Sequence, residues 1–184
     1  MSTQEVSLRS TVGGLSVEGK LHTLSVWFIL ALRLMIGLAF FQSGLDKVLS
    51  GEFSAAGYLL NAPAANGSPA AGLFAAMGES ALFLEFVNVA VPWGELLIGL
   101  GVIVGFLTRL AAFWGAFMML LFYLGNWDIA HGYINGDFAY MLVFLSVAAF
   151  GAGRILGLDA YVERYEVGGR PLLERFPWAR YFLG

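Results

Sequence analysis

The 184-residue chain contains no cysteine. Disulfides, thiolate metal sites, iron–sulfur clusters and thiol redox chemistry are therefore excluded. Its only histidines are His22 and His131, a poor basis for a bis-histidine haem inside a bilayer. Charge is scarce: 12% of the residues are Asp, Glu, Lys or Arg, about half the share of an ordinary soluble domain. The formal net charge of −3 is not gathered into a basic stripe, so nucleic acid is not an expected partner. A phosphate-binding loop, a G-x-S-x-G elbow, an H-E-x-x-H helix and a dinucleotide fingerprint are all missing, and no metal-ligand set is expected. A secretory signal peptide is not expected either, because a polar stretch of about 23 residues precedes the first apolar run.

What fills the chain instead is apolar. Hydrophobic residues make up 59% of it, and the mean hydropathy is +0.75. This is the composition of an integral membrane protein. A helix needs about 20 apolar residues to cross the hydrocarbon core. Four runs qualify, near Leu24–Leu45, Ala81–Leu107, Leu110–Trp127 and Phe138–Leu158. The fold class they predict is all-α: an antiparallel four-helix transmembrane bundle. Pro92 inside the second run predicts a kink or a break near Glu95. The chain divides into a polar segment 1–23, a transmembrane domain 24–158 and an amphipathic tail 159–184.

Basic residues set the expected orientation. Arg9 and Lys20 precede the first span, Arg109 lies between the second and third, and five arginines from Arg154 to Arg180 end or follow the fourth. The other connections hold only Lys47. Both termini are thus expected in the cytoplasm, with the protein multi-pass in the cell membrane. The connection 50–80 is too apolar for a free loop and is broken at "NAP" and "NGSP", which predicts two short helices over the outer mouth of the bundle. The tail mixes arginines with Tyr161, Tyr165, Phe176, Trp178 and Tyr181, a pattern suited to lipid headgroups or to packing on the bundle or a neighbouring subunit. Small residues in "GAFMMLLFYLG" permit close helix approach, and with it a homo-oligomer.

The informative charges inside the predicted spans are Arg33 and Glu95. Each costs at least about 2.5 kcal/mol at mid-bilayer unless it is partnered. Glu95 lies roughly 21 Å along its helix from Arg109, and Arg33 roughly 14 Å from the start of its own. An extended arginine can span that difference, so the expected pair is Arg33–Glu95. The pair either fixes helix register or forms a catalytic proton or anion site. A second polar cluster is expected at the outer end, with Gln42, Ser43 and Lys47 on the first helix and Trp93 on the second. Asn126, Trp127 and Asp128 end the third, and Asp137 and Tyr140 open the fourth. These are the candidate substrate-binding residues, or alternatively interfacial anchors.

Three stretches resemble a known family: "GLAFFQSGLDKV", "GELLIGLGVIVGFLTRLAA" and "NGDFAYMLVFLSVAAFGAGRILGLD". They are similar to the motifs of the DoxX/DoxD family of small four-helix membrane proteins. The resemblance implies a four-helix bundle and, for the DoxD branch, a subunit of thiosulfate:quinone oxidoreductase. Three functions then stand in order. The first is a quinone-linked oxidoreductase subunit, with the quinone in an apolar pocket beside groups that exchange protons, such as Glu95 or Asp128, and with Lys47 and Arg33 drawing in an oxyanion. The second is a non-catalytic anchor or assembly subunit bound to a redox partner protein. The third is a small transporter. Haem, iron–sulfur and nucleotide cofactors are not expected.

Overall fold

The computed structural model describes residues 6–12, 15–21, 24–127 and 133–184. Asp128 and both histidines lie outside the described residues. Strands β1 (Val6–Val12) and β2 (Leu15–Leu21) pair antiparallel, with Val12 opposite Leu15. This hairpin falls in the segment read as merely polar; its period-two pattern, "LSVEGKL", was there to be read.

The rest is helical: α1 (Leu24–Ser50), α2 (Ala56–Ala65), α3 (Ala71–Glu79), α4 (Ala81–Val104), α5 (Thr108–Gly125) and α6 (Gly136–Ala149). A 3₁₀ turn at Ala152–Arg154, two four-residue helices, α7 (Asp159–Val162) and α8 (Leu172–Arg175), and a second 3₁₀ turn at Pro177–Tyr181 complete the chain. Among the described residues, α1, α4 and α5 are long and apolar enough to cross a membrane. The fourth predicted span is shorter than its apolar run: α6 has 14 residues, and the chain then tightens into the 3₁₀ turn. Its start is capped by the Asn135 side chain, which accepts from Phe138 N–H at 3.0 Å. Helix α4 runs through Pro92 as one continuous helix, so of the predicted kink or break near Glu95 the break is absent.

Helix α1 packs chiefly on α4, and α5 on α6. The first pairing is made by glycine. A side chain at Gly44 would run into the backbone of Pro92 and Leu96, and one at Gly99 into that of Gly37 and Phe41. Close backbone approach of this kind is how helices gain contact where lipid removes the hydrophobic drive between them. The core follows from the same faces. Ile36, Phe40, Ile98, Val102, Ala112, Ala116, Phe144 and Val147 are buried together. The Phe144 ring lies over Gly115 and meets Phe40 edge-on at 4.7 Å. Large apolar side chains cover the outside, among them Trp27, Phe28, Leu82, Phe113 and Leu145. In water this would be an aggregating surface; facing lipid, it is the expected one.

The tail packs back on the bundle, with Ala179 and Leu183 buried while Tyr161, Tyr165, Trp178 and Tyr181 stay exposed. It is tied down by charge. Arg109 donates to the carbonyls of Ala148 at 3.2 Å and Arg180 at 2.7 Å. Arg154 grips Glu163 at 2.9 Å.

A lipid-facing cleft and two separated charges

The pairing expected between Arg33 and Glu95 does not form. Arg33, 1% exposed, donates from its guanidinium to three main-chain carbonyls: Ala152 at 2.5 Å, Ile155 at 2.7 Å and Leu156 at 3.4 Å. These carbonyls follow the end of α6, where a cation is favoured; that of Ala152 also accepts from Ile155 N–H at 3.1 Å. The expectation failed on depth. It took the start of α1 as the inner surface, but Arg33 is level with Gly105, where α4 ends: a side chain there would touch its Nη1 at 3.1 Å. The first turns of α1 project past α4. Glu95 lies instead beside the turn carrying Gly44 and Lys47, roughly 21 Å along α1 from Arg33.

Asp159 completes the same end and is fully buried. Its carboxylate accepts from the N–H groups of Leu107 at 2.8 Å, Thr108 at 3.0 Å and Gly184 at 3.1 Å. It thus caps the first turn of α5 from far along the chain. The turn before α5 needs that support, because Gly105 and Leu107 both take left-handed backbone angles, φ 70° and 50°, which is unusual for leucine. Sequence reasoning assigned Asp159 no role. The available signal was an aspartate closing an apolar, glycine-containing run, "GAGRILGLD".

Glu95, 3% exposed, receives Lys47: Nζ donates to its Oε2 at 2.5 Å and to Ser43 Oγ at 2.7 Å. Lysine reaches back because α1 continues to Ser50, past the predicted end at Leu45, and so carries Lys47 in regular helix. The Lys47 side chain is 27% exposed and that of Glu95 4%. The ammonium therefore stands in front of the carboxylate.

Lys47 faces a cleft of about 810 Å³ between α4 and α5, beneath α2 and α3. Phe86 and Leu97 of α4 and Trp114 and Phe117 of α5 line it and are also exposed. Its mouth therefore lies on the apolar outer surface. Tyr58 and Phe74 cover it, and Asn126 lines the far wall. The cover is latched to the end of α5: Ser68 Oγ donates to Leu124 O at 2.5 Å and Asn66 to Gly125 O at 3.1 Å. The Tyr58 hydroxyl donates to Asn126 Oδ1 at 3.1 Å, and Asn126 donates in turn to Asp137 at 2.8 Å. Burial, and then the negative charge of Asp137, push the Tyr58 phenol up to about 12.

The candidate residues are thus sorted. Lys47, Glu95 and Ser43 come together, as do Asn126 and Asp137. Gln42, Trp93 and Tyr140 are exposed and do not line the cleft, and Trp127 meets Tyr123 edge-on, ring centroids 5.5 Å apart, away from it. The aromatic walls that sequence reasoning missed are Phe86, Trp114, Phe117 and Tyr58; in a lipid-facing helix nothing distinguishes a ring lining a cleft from one facing a lipid tail. Among the described residues no group of acids and histidines could hold a metal ion.

Comparison with curated proteins and with solved structures finds no match. The sequence model of the DoxX family matches residues 28–127, from the start of α1 through the end of α5. The third stretch of the resemblance, from Asn135 to Asp159, lies beyond the match. The matched part holds α1, the cover, α4 and α5, hence the Lys47–Glu95 pair and both walls of the cleft. The chain is a membrane protein that belongs to the DoxX family.

Proposed function

We propose that this protein is the membrane subunit of a quinone-linked oxidoreductase of the DoxD kind, and that it holds the quinone in the cleft between α4 and α5. The cleft carries the proposal. Its volume falls in the range of small-molecule sites, which are mostly apolar with a few placed polar groups. Aromatic side chains suit a quinone ring, the mouth on the apolar surface suits an isoprenoid tail arriving from the membrane, and Lys47 and Asn126 offer donors to ring oxygens. Electrons would come from a reduced sulfur compound such as thiosulfate or from a redox partner protein. In this reading α6 and the following 3₁₀ turn make a short fourth span of an antiparallel bundle in the cell membrane. The termini are cytoplasmic by the arginine count.

Extraction of the purified protein, read by mass spectrometry, should recover quinone in near-stoichiometric amount, and Trp114→Ala should lower it. Protein from quinone-rich cells that carries none, and takes none up on reconstitution, would leave the non-catalytic anchor or assembly subunit as the better account. For orientation, an impermeant thiol reagent should label Ser54→Cys in intact cells and spare Arg164→Cys.

A further inference from the structure

Among the described residues, Lys47 is the one charged residue in the lining of the cleft. A lone ammonium beside a mouth open to lipid would be a trap for phosphate. Headgroups surround it, and its hydrogen bonds to phosphate oxygens would be charge-assisted in a poorly screened place. Lys47 is not alone. Two of its three donors are spent, one on Glu95 at 2.5 Å and one on Ser43 at 2.7 Å. The carboxylate behind it cancels its charge, and the other buried cation on α1, Arg33, is committed to carbonyls at the opposite end. What remains toward the cleft is one N–H on a neutral pair.

We propose that Glu95 sets the charge selectivity of the cleft: by neutralising Lys47 it admits an uncharged, carbonyl-bearing lipid and refuses phosphate-bearing ones. This rests on the reading of the cleft as a ligand site. A carbonyl oxygen needs only the remaining N–H. A phosphate must take Lys47 from Glu95, which leaves a carboxylate buried without its cation and next to a second anion, at a cost no new hydrogen bond recovers. The arrangement fits selection better than helix pairing alone. A pair serving only to join α1 and α4 has no need to keep its ammonium on the cleft side, and the glycine contacts already join those helices.

The test titrates purified wild type, Glu95→Gln, and Lys47→Met/Glu95→Gln in micelles with two probes, a phosphatidylglycerol and a short-chain ubiquinone, read by native mass spectrometry. Wild type should take the ubiquinone and little phosphatidylglycerol. Glu95→Gln, nearly equal in shape, should gain phosphatidylglycerol affinity by about tenfold, and the double variant should lose that gain. No gain in Glu95→Gln, or an equal gain in the double variant, overturns the proposal. Where Glu95→Gln does not fold, wild type alone decides: excess phosphatidylglycerol should fail to displace bound ubiquinone, and displacement overturns the proposal. A wild type that takes no ubiquinone, with Glu95→Gln still gaining phosphatidylglycerol, sinks the quinone reading and leaves the selectivity standing.

Discussion

Both ends of the helices bury charge, and they do so in opposite ways. At the tail end, Arg33 and Asp159 are turned entirely to the main chain: one gathers three carbonyls, the other three N–H groups. Of their polar atoms, Arg33 Nε alone keeps no partner among the described residues, and it is buried. At the covered end, Lys47 and Glu95 are turned to each other, and one of them opens on about 810 Å³ of space. A charge spent on backbone fixes a turn. A charge paired with another side chain and open on one face keeps a donor for something that arrives. Burial of an ionisable group in a membrane helix is therefore not by itself a mark of function; what satisfies the group decides.

That contrast is broken most directly at the tail end. Arg33→Met removes a donor from three carbonyls, of which, among the described residues, only that of Ala152 has a second partner, the Ile155 N–H at 3.1 Å. Each buried polar group left unpaired costs about 1–3 kcal/mol, so for the carbonyls of Ile155 and Leu156 the expected loss is about 2–6 kcal/mol in a detergent melt. Quinone retained per folded molecule should not change. A stable Arg33→Met protein that loses ligand would erase the distinction between the two ends.

The next effect sharpens the contrast by testing what joins the helices. Gly44→Ala places a methyl group against the backbone of Pro92 and Leu96. Backbone cannot rotate away as a side chain can, so the expected cost is about 1–3 kcal/mol. The same change at Gly57, whose surroundings are open, should leave the melt within about 0.5 kcal/mol of wild type.

The helices themselves were readable because their lengths are set by the bilayer, and the runs of apolar residues sit close to α1, α4 and α5. The register between them was not. It depends on where Gly37, Gly44 and Gly99 let two backbones touch, and glycines scattered through a membrane helix do not announce which of them face a partner. An error in register moved Arg33 alongside Glu95 in expectation, while the real partner, Lys47, had been assigned to the outer cluster. The polar residues of the candidate site could be named from sequence, since Lys47, Glu95, Ser43, Asn126 and Asp137 stand out in an apolar chain. Its walls could not, and Asp159 was missed because its partners are main-chain groups, which carry no sequence signal.

A smaller effect is expected from the pair at the cleft. Lys47→Met leaves Glu95 buried beside Ser43 alone and should cost about 1–3 kcal/mol, below the value for a fully enclosed pair because the ammonium is partly exposed. Adding Glu95→Gln should restore most of it, whereas quinone retention should stay low in both. Losses that simply add in the double variant would mean that the two residues do not interact in the folded protein.

The smallest effect concerns the latch between the cover and α5, and it carries a pH signature. Tyr58→Phe removes one hydrogen bond, to Asn126, and should cost about 1 kcal/mol at neutral pH, with faster quinone release as the cover loosens. The phenol is held up to about 12, first by burial and then by Asp137, against about 10 in the unfolded chain. Between those values the unfolded state has lost the proton while the folded state still holds it, so the folded state binds more protons and stability falls as pH rises. The contribution of Tyr58 is complete below about pH 10 and shrinks as the pH climbs toward about 12. Alkaline melts should therefore converge: the gap between wild type and Tyr58→Phe should be widest near neutrality and narrow above pH 10. A gap that stays constant across that range would mean that Tyr58 is not closed off beneath the cover, and that the cleft is open to water from its covered side.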